Sequence, residues 1–120
     1  MFEIKGRRIR LTRGDTAQIV IEADGLAFTD ADRAVLAVKR EADDRTALLE
    51  KTATPDENGV CVFRLENEDS EDIEPGAYTW DVRFVIGAAL GADGRVTGGY
   101  QVITPFEPSE FTILGAVADV

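Results

Sequence analysis

Apolar and polar residues alternate with a period of two along almost the whole chain. Arg8-Ile9-Arg10-Leu11-Thr12 alternates strictly, Ala17, Ile19, Ile21 and Ala23 share one phase of the next run, and Ala34, Leu36 and Val38 share one phase of a third. Val60 to Leu65 brings Cys61, Phe63 and Leu65 together. Ala77 to Ile86 sets Tyr78, Trp80, Val82, Phe84 and Ile86 on one face against Thr79, Asp81 and Arg83 on the other. This is the signature of strands buried on one side. Ala47 to Thr54 is a weaker candidate, because Glu50 and Lys51 fall on opposite faces, and Arg95 to Ile103 and Phe111 to Leu114 complete the set.

Turn chemistry separates these runs. Arg13-Gly14-Asp15, Ala23-Asp24-Gly25, Asn58-Gly59, Pro75-Gly76 and Asp93-Gly94 each supply a glycine where positive φ is easy, and Asn58-Gly59 and Asp93-Gly94 read as hairpins. Helix is confined to single turns at Thr29 to Arg33 and Asn67 to Ile73. Strands every 10 to 17 residues over a 120-residue chain predict one all-β domain, 1–120, folded as an antiparallel sandwich of about seven to eight strands.

Tyr78 follows a Pro-Gly turn at the head of the longest run, and Trp80 comes two positions later. In immunoglobulin-like sandwiches a tyrosine in that place turns its hydroxyl back onto the preceding corner, and the next inward position holds a cysteine in antibody domains. The expectation is an immunoglobulin-like sandwich with Trp80 in the core in place of a disulfide.

Composition mainly excludes. The chain has no histidine, which removes Ser-His-Asp and Cys-His catalysis, imidazole zinc sites and histidine switches. Its one cysteine, Cys61, cannot form an internal disulfide and, in phase with Phe63 and Leu65, is expected to be an inert core thiol. Thirteen basic against 23 acidic residues leave a net charge of −10, which argues against nucleic acid as a partner. The first residues form no signal-peptide-like apolar stretch, and the longest mostly apolar run, Phe84 to Ala92, is about half a membrane span. The expectation is a protein with no membrane contact that is not exported by a signal peptide.

Other motifs point nowhere further. Arg13-Gly14-Asp15 is a tight turn before it is an adhesive tripeptide. The glycines at 87, 91 and 94 lack the spacing of a phosphate loop, and Asp24, Asp30 and Asp32 lack the calcium-loop pattern. The expectations are no enzymatic activity, no cofactor, no metal and no small-molecule substrate.

The charge is unevenly placed. Residues 1–14 carry a net +4, leaving −14 for the rest, and Glu66 to Glu74 holds six acids and no base. Such segments can be solvated faces, or complementary surfaces through which copies or partners meet. On the second reading the contact residues are Arg7, Arg8 and Arg10 on one side and Glu68, Asp69, Glu71 and Asp72 on the other.

The order of these features is similar to one family. Leu11-Thr12-Arg13-Gly14-Asp15-Thr16, a strand ending in Val38-Lys39-Arg40, the acidic Asn67-Glu68-Asp69-Ser70, Pro75-Gly76-Ala77-Tyr78-Thr79-Trp80-Asp81-Val82-Arg83, and a closing Gly98 to Val102 and Phe111 to Ile113 follow one another. This resembles the immunoglobulin-like N-terminal domains of phage baseplate upper proteins and related prophage tail-cluster proteins. It departs from them at the Pro105-Phe106-Glu107-Pro108 corner. The resemblance implies a structural or assembly module of a phage or prophage particle, in the virion or in the bacterial cytoplasm before assembly. Its partners would be copies of itself and other virion proteins. The alternative is a free-standing immunoglobulin-like module that binds a protein or a glycan.

Overall fold

The computed structural model describes residues 1–23 and 28–118, and the fold is an all-β sandwich. Among these residues eleven strands and one helical turn follow in order: β1 (Phe2–Lys5), β2 (Arg8–Thr12), β3 (Ala17–Glu22), β4 (Arg33–Lys39), β5 (Leu49–Ala53), β6 (Val60–Leu65), α1 (Asn67–Ser70), β7 (Gly76–Ile86), β8 (Ala89–Leu90), β9 (Val96–Gly98), β10 (Gln101–Ile103) and β11 (Ser109–Leu114). The large sheet runs β1-β2-β11-β7-β4-β5, with β10 paired to the far end of β7. All its pairings are antiparallel except β11 with β2, which is parallel. β3 and β6 form the second layer, and β8 and β9 make a separate two-stranded arm.

The inward phases seen in the sequence meet in one core. Ile9 and Leu11, Ile19, Ala34, Leu36 and Val38, Cys61, Phe63 and Leu65, and Tyr78, Trp80, Val82 and Phe84 are all buried, with Phe111 and Ile113 from the closing strand. The Tyr78 hydroxyl donates to the Glu74 carbonyl, so the expected corner forms. Trp80 is 2% exposed. Its indole stacks edge-on against Phe106, 5.2 Å between ring centres, so the Pro105 to Pro108 corner lids the core.

Four local expectations are corrected. Phe2–Lys5 is a strand the alternation missed: it pairs back on β2 through a two-residue turn in which Gly6 takes φ +63°. Arg95 to Ile103 is two strands, because the chain at Gly99 presses so close to β7 that a Cβ there would lie 2.3 Å from Val85 Cγ1. Asn58-Gly59 makes a turn but not a hairpin, since β5 pairs with β4 and β6 with β3, so the connection crosses between layers. Thr29 to Asp32 is a hydrogen-bonded turn leading into β4, not helix. The single acidic turn is present as α1, while Asp24 and Gly25 lie outside the described residues. Among the described residues no helix is long and apolar enough to cross a membrane.

Candidate functional site

The outer face of the large sheet is a broad surface that the described residues leave open. Residues opposite the core-facing positions point there by strand alternation: Arg8 and Arg10 from β2, Thr79, Asp81 and Arg83 from β7, Val35, Ala37 and Lys39 from β4, and Glu50 from β5. The register keeps them on one surface, pairing Arg10 with Thr112 and Thr112 with Ala77, and Ala37 with both Asp81 and Glu50. Its far half is an open trough of about 590 Å³, floored by Val35, Ala37, Asp81 and Arg83 and walled by the β8–β9 arm and the 42–47 loop.

Four cations line the trough, Lys39, Arg45, Arg83 and Arg95, against two acids, Glu50 and Asp81. Arg95 spans the rim to Glu50, with Nε 3.2 Å from the carboxylate. Arg83 Nε donates to the Thr104 hydroxyl at 3.2 Å, which ties the β10 connection to the floor. The sign of this surface is therefore opposite to that of the chain as a whole.

The sequence-derived contact residues divide between roles. Arg8 and Arg10 join the outer face, Arg10 within 3.8 Å of Glu3 on the neighbouring strand. Arg7 is exposed but also serves the core: its backbone carbonyl accepts the Trp80 indole N–H at 2.8 Å, and its guanidinium lies 5.2 Å above the Phe106 ring. Asp69 is also held inside the chain, by Lys51 Nζ at 2.7 Å and the Glu66 amide at 2.6 Å. Glu68, Glu71 and Asp72 are exposed, and with Glu74 they form a carboxylate-rich end. The structure thus separates basic and acidic surfaces on different parts of the molecule and brings none of the named pairs together within one chain.

Motifs that seemed able to bind something are taken up by the fold. Gly14 is pinned from both sides: its N–H donates to the Ser70 hydroxyl and its carbonyl accepts from the Asn67 amide, each at 2.8 Å. Asp15 pairs with the amino terminus, so the glycine and the aspartate of the Arg13-Gly14-Asp15 turn are both tied down. Asp32, 4% exposed, accepts the amide N–H of Thr29 through one oxygen and that of Gly87 through the other, both at 2.8 Å. Glu41, Asp43 and Asp44 converge within 4.8 Å on an exposed loop, where Asp44 accepts the Glu41 amide and closes the turn. Burial pushes the Cys61 thiol up to about 11, with the nearby charge of Asp56 adding to the shift.

Sequence reasoning found Arg8 and Arg10 but not Lys39, Arg45, Arg83 and Arg95 as a group. These four come from β4, β7 and two loops and meet only through non-local pairing, so no local spacing could have marked them. No protein-family model, no curated protein and no solved structure matches this chain.

Proposed function

We propose that this chain is an immunoglobulin-like module doing structural work in a phage or prophage particle, as a tail or baseplate component that acts through protein–protein contacts. The open, net-positive outer face of the large sheet carries the reading. It is broad and shallow, which suits another protein surface better than a small substrate, since small-molecule sites are enclosed. The immunoglobulin-like part is supported by the Tyr78–Glu74 corner bond and by a central β7 flanked by β4 and β11. The phage part is supported by the order of the Gly14-Asp15-Thr16 turn, the acidic turn and the Pro75-Gly76-Ala77-Tyr78 strand, which resembles baseplate upper proteins.

Particles released from the source bacterium on prophage induction test this. Mass spectrometry is expected to find the chain in the purified particles, and its gene is expected beside tail, tape-measure and baseplate genes. Its absence from particles, with unrelated neighbouring genes, would remove the phage assignment. A free-standing binding module is the second reading, favoured by Tyr100, which stands 88% exposed beside the arm and could stack on a sugar or a partner. Retention on specific glycans of an array, lost in Tyr100→Ala, is the outcome expected under that reading.

A further inference from the structure

We infer that the outer face of the large sheet receives the acidic turn of a second copy, so that copies join head to tail. The inference rests on the reading of the chain as a protein-contact module and names the partner of that face. The face offers Arg8, Arg10, Lys39, Arg45, Arg83 and Arg95, more cations than acids, on a chain whose net charge is −10. The complementary surface is on the same chain. Glu68, Glu71, Asp72 and Glu74 project from the turn and the loop that follows it, while Glu66 and Asp69, paired with Arg64 and Lys51, stay behind as its structural anchors. The acidic turn also borders a second depression, lined by Arg13, Asp15, Asn67, Glu71 and Asp72, so its carboxylates are not covered by the fold.

Two different patches of one chain meeting each other make a heterologous contact, which closes into a ring or extends as a filament. Charge decides how it behaves with salt. Copies of net charge −10 repel at long range, but at physiological ionic strength the Debye length is about 8 Å, so only groups at the contact count. Raising salt to 1 M shortens that length to about 3 Å and weakens the contact pairs themselves. Each exposed pair contributes little alone, so four acting together are expected to shift the self-association constant by about tenfold. Val35, Val96 and Val102 in the trough supply apolar area beneath the charges.

Charge reversal on each side provides the test. Sedimentation of the full chain at 0.15 M and 1 M salt is compared with a face variant, Arg45→Glu with Arg83→Glu, and a turn variant, Glu68→Lys with Glu71→Lys and Asp72→Lys. All of these positions except Arg83, which bonds Thr104, lack a hydrogen-bonding side-chain partner among the described residues, and circular dichroism checks that both variants remain folded. The expected result is self-association of the wild type that weakens about tenfold at high salt, monomers for each variant alone, and restored association when the two variants are mixed. In the mixture each reversed face meets a reversed turn.

As a second readout, a peptide of residues 66–74 titrated into the full chain is expected to move the amide resonances of Lys39, Ala37 and Arg83, and its Gln/Asn counterpart is not. A wild type that stays monomeric at both salts, with no response to the peptide, overturns the inference. So does association that survives both reversals, or a mixture that stays monomeric. None of these results removes the chain from a particle in which mass spectrometry finds it. Absence from particles together with charge-dependent self-association would instead remove the phage assignment and keep this contact.

Discussion

Trp80 and Arg7 are joined across 73 positions of sequence, the indole N–H donating to the arginine carbonyl at 2.8 Å. The bond ties the turn of the first hairpin to the centre of β7. The same arginine folds its guanidinium over Phe106, whose ring rests against the indole, so three separate segments close one end of the core around a single side chain. Trp80→Ala is expected to cost about 3–5 kcal/mol, much of a small domain's stability. Trp80→Phe, which keeps apolar volume but gives up the bond, is expected to cost less. Urea unfolding of both variants checks this, and an alanine variant as stable as wild type would place the indole outside the core.

Asp32 joins two loops that its position in sequence does not suggest. Its two carboxylate oxygens serve the amides of Thr29 and Gly87, so the entry to β4 and the exit from β7 share one acceptor. Asp32→Asn keeps one acceptor and turns an NH₂ toward the other amide. It is expected to cost about 1–3 kcal/mol, because a part-buried donor loses its partner. Hydrogen exchange should quicken at Gly87 and Thr29 ahead of the core amides. Unchanged exchange at both positions would show the carboxylate to be dispensable.

What could be read in the sequence was whatever depends on alternation within a strand. The inward phases of β2, β3, β4, β6 and β7, the corner made by Tyr78, the buried Cys61 and the single acidic turn follow from period two and local turn chemistry. Pairing between distant strands was not legible, since alternation tells a residue which face it takes and not which strand lies beside it. This is why Lys39, Arg83 and Arg95 could not be grouped, and why Asn58-Gly59 read as a hairpin although it crosses between layers. β1 was missed because four residues give too short a pattern, and its register comes from the Gly6 turn. The contact role assigned to Arg7 and Asp69 rested on charge alone. Their internal bonds to Trp80 and Lys51 depend on tertiary packing.

Gly99 sets the position of the segment that walls the trough. A methyl group there would meet Val85 Cγ1 at 2.3 Å and the Ile86 carbonyl at 3.0 Å, both on the rigid end of β7. Gly99→Ala must therefore lift the 98–101 segment and strain the Tyr100 amide bond to Ile86, now 2.8 Å. The expected cost is about 1–3 kcal/mol, as for other overpacked sites. Amide resonance changes should concentrate in β9, β10 and the last residues of β7. A variant with wild-type stability and spectrum would mean that the segment yields freely.

Cys61 gives the fold a defined response to alkali. Its side chain is fully buried, and burial, aided by Asp56, raises the thiol from 9.0 to about 11. A native-state value above the unfolded one means that the folded chain keeps its proton where the unfolded chain has released it. The associated stability is complete below about pH 9 and is lost as pH climbs toward 11. At about 1.4 kcal/mol per pH unit, the loss across that window is of the order of 2–3 kcal/mol. Denaturant unfolding at pH 8 and pH 10.5 checks this against Cys61→Ala, which shares every other titration and so isolates the thiol. Wild type is expected to lose more stability than the variant between the two pH values. Equal losses would show that the thiol ionises as freely in the native chain as in the unfolded one. The same burial predicts slow labelling by a thiol reagent at pH 8 in native buffer and rapid labelling in denaturant, because reagent must wait for the β3–β6 layer to lift from the large sheet. Prompt native labelling would place Cys61 on the outer side of β6 and exchange the two faces of that strand.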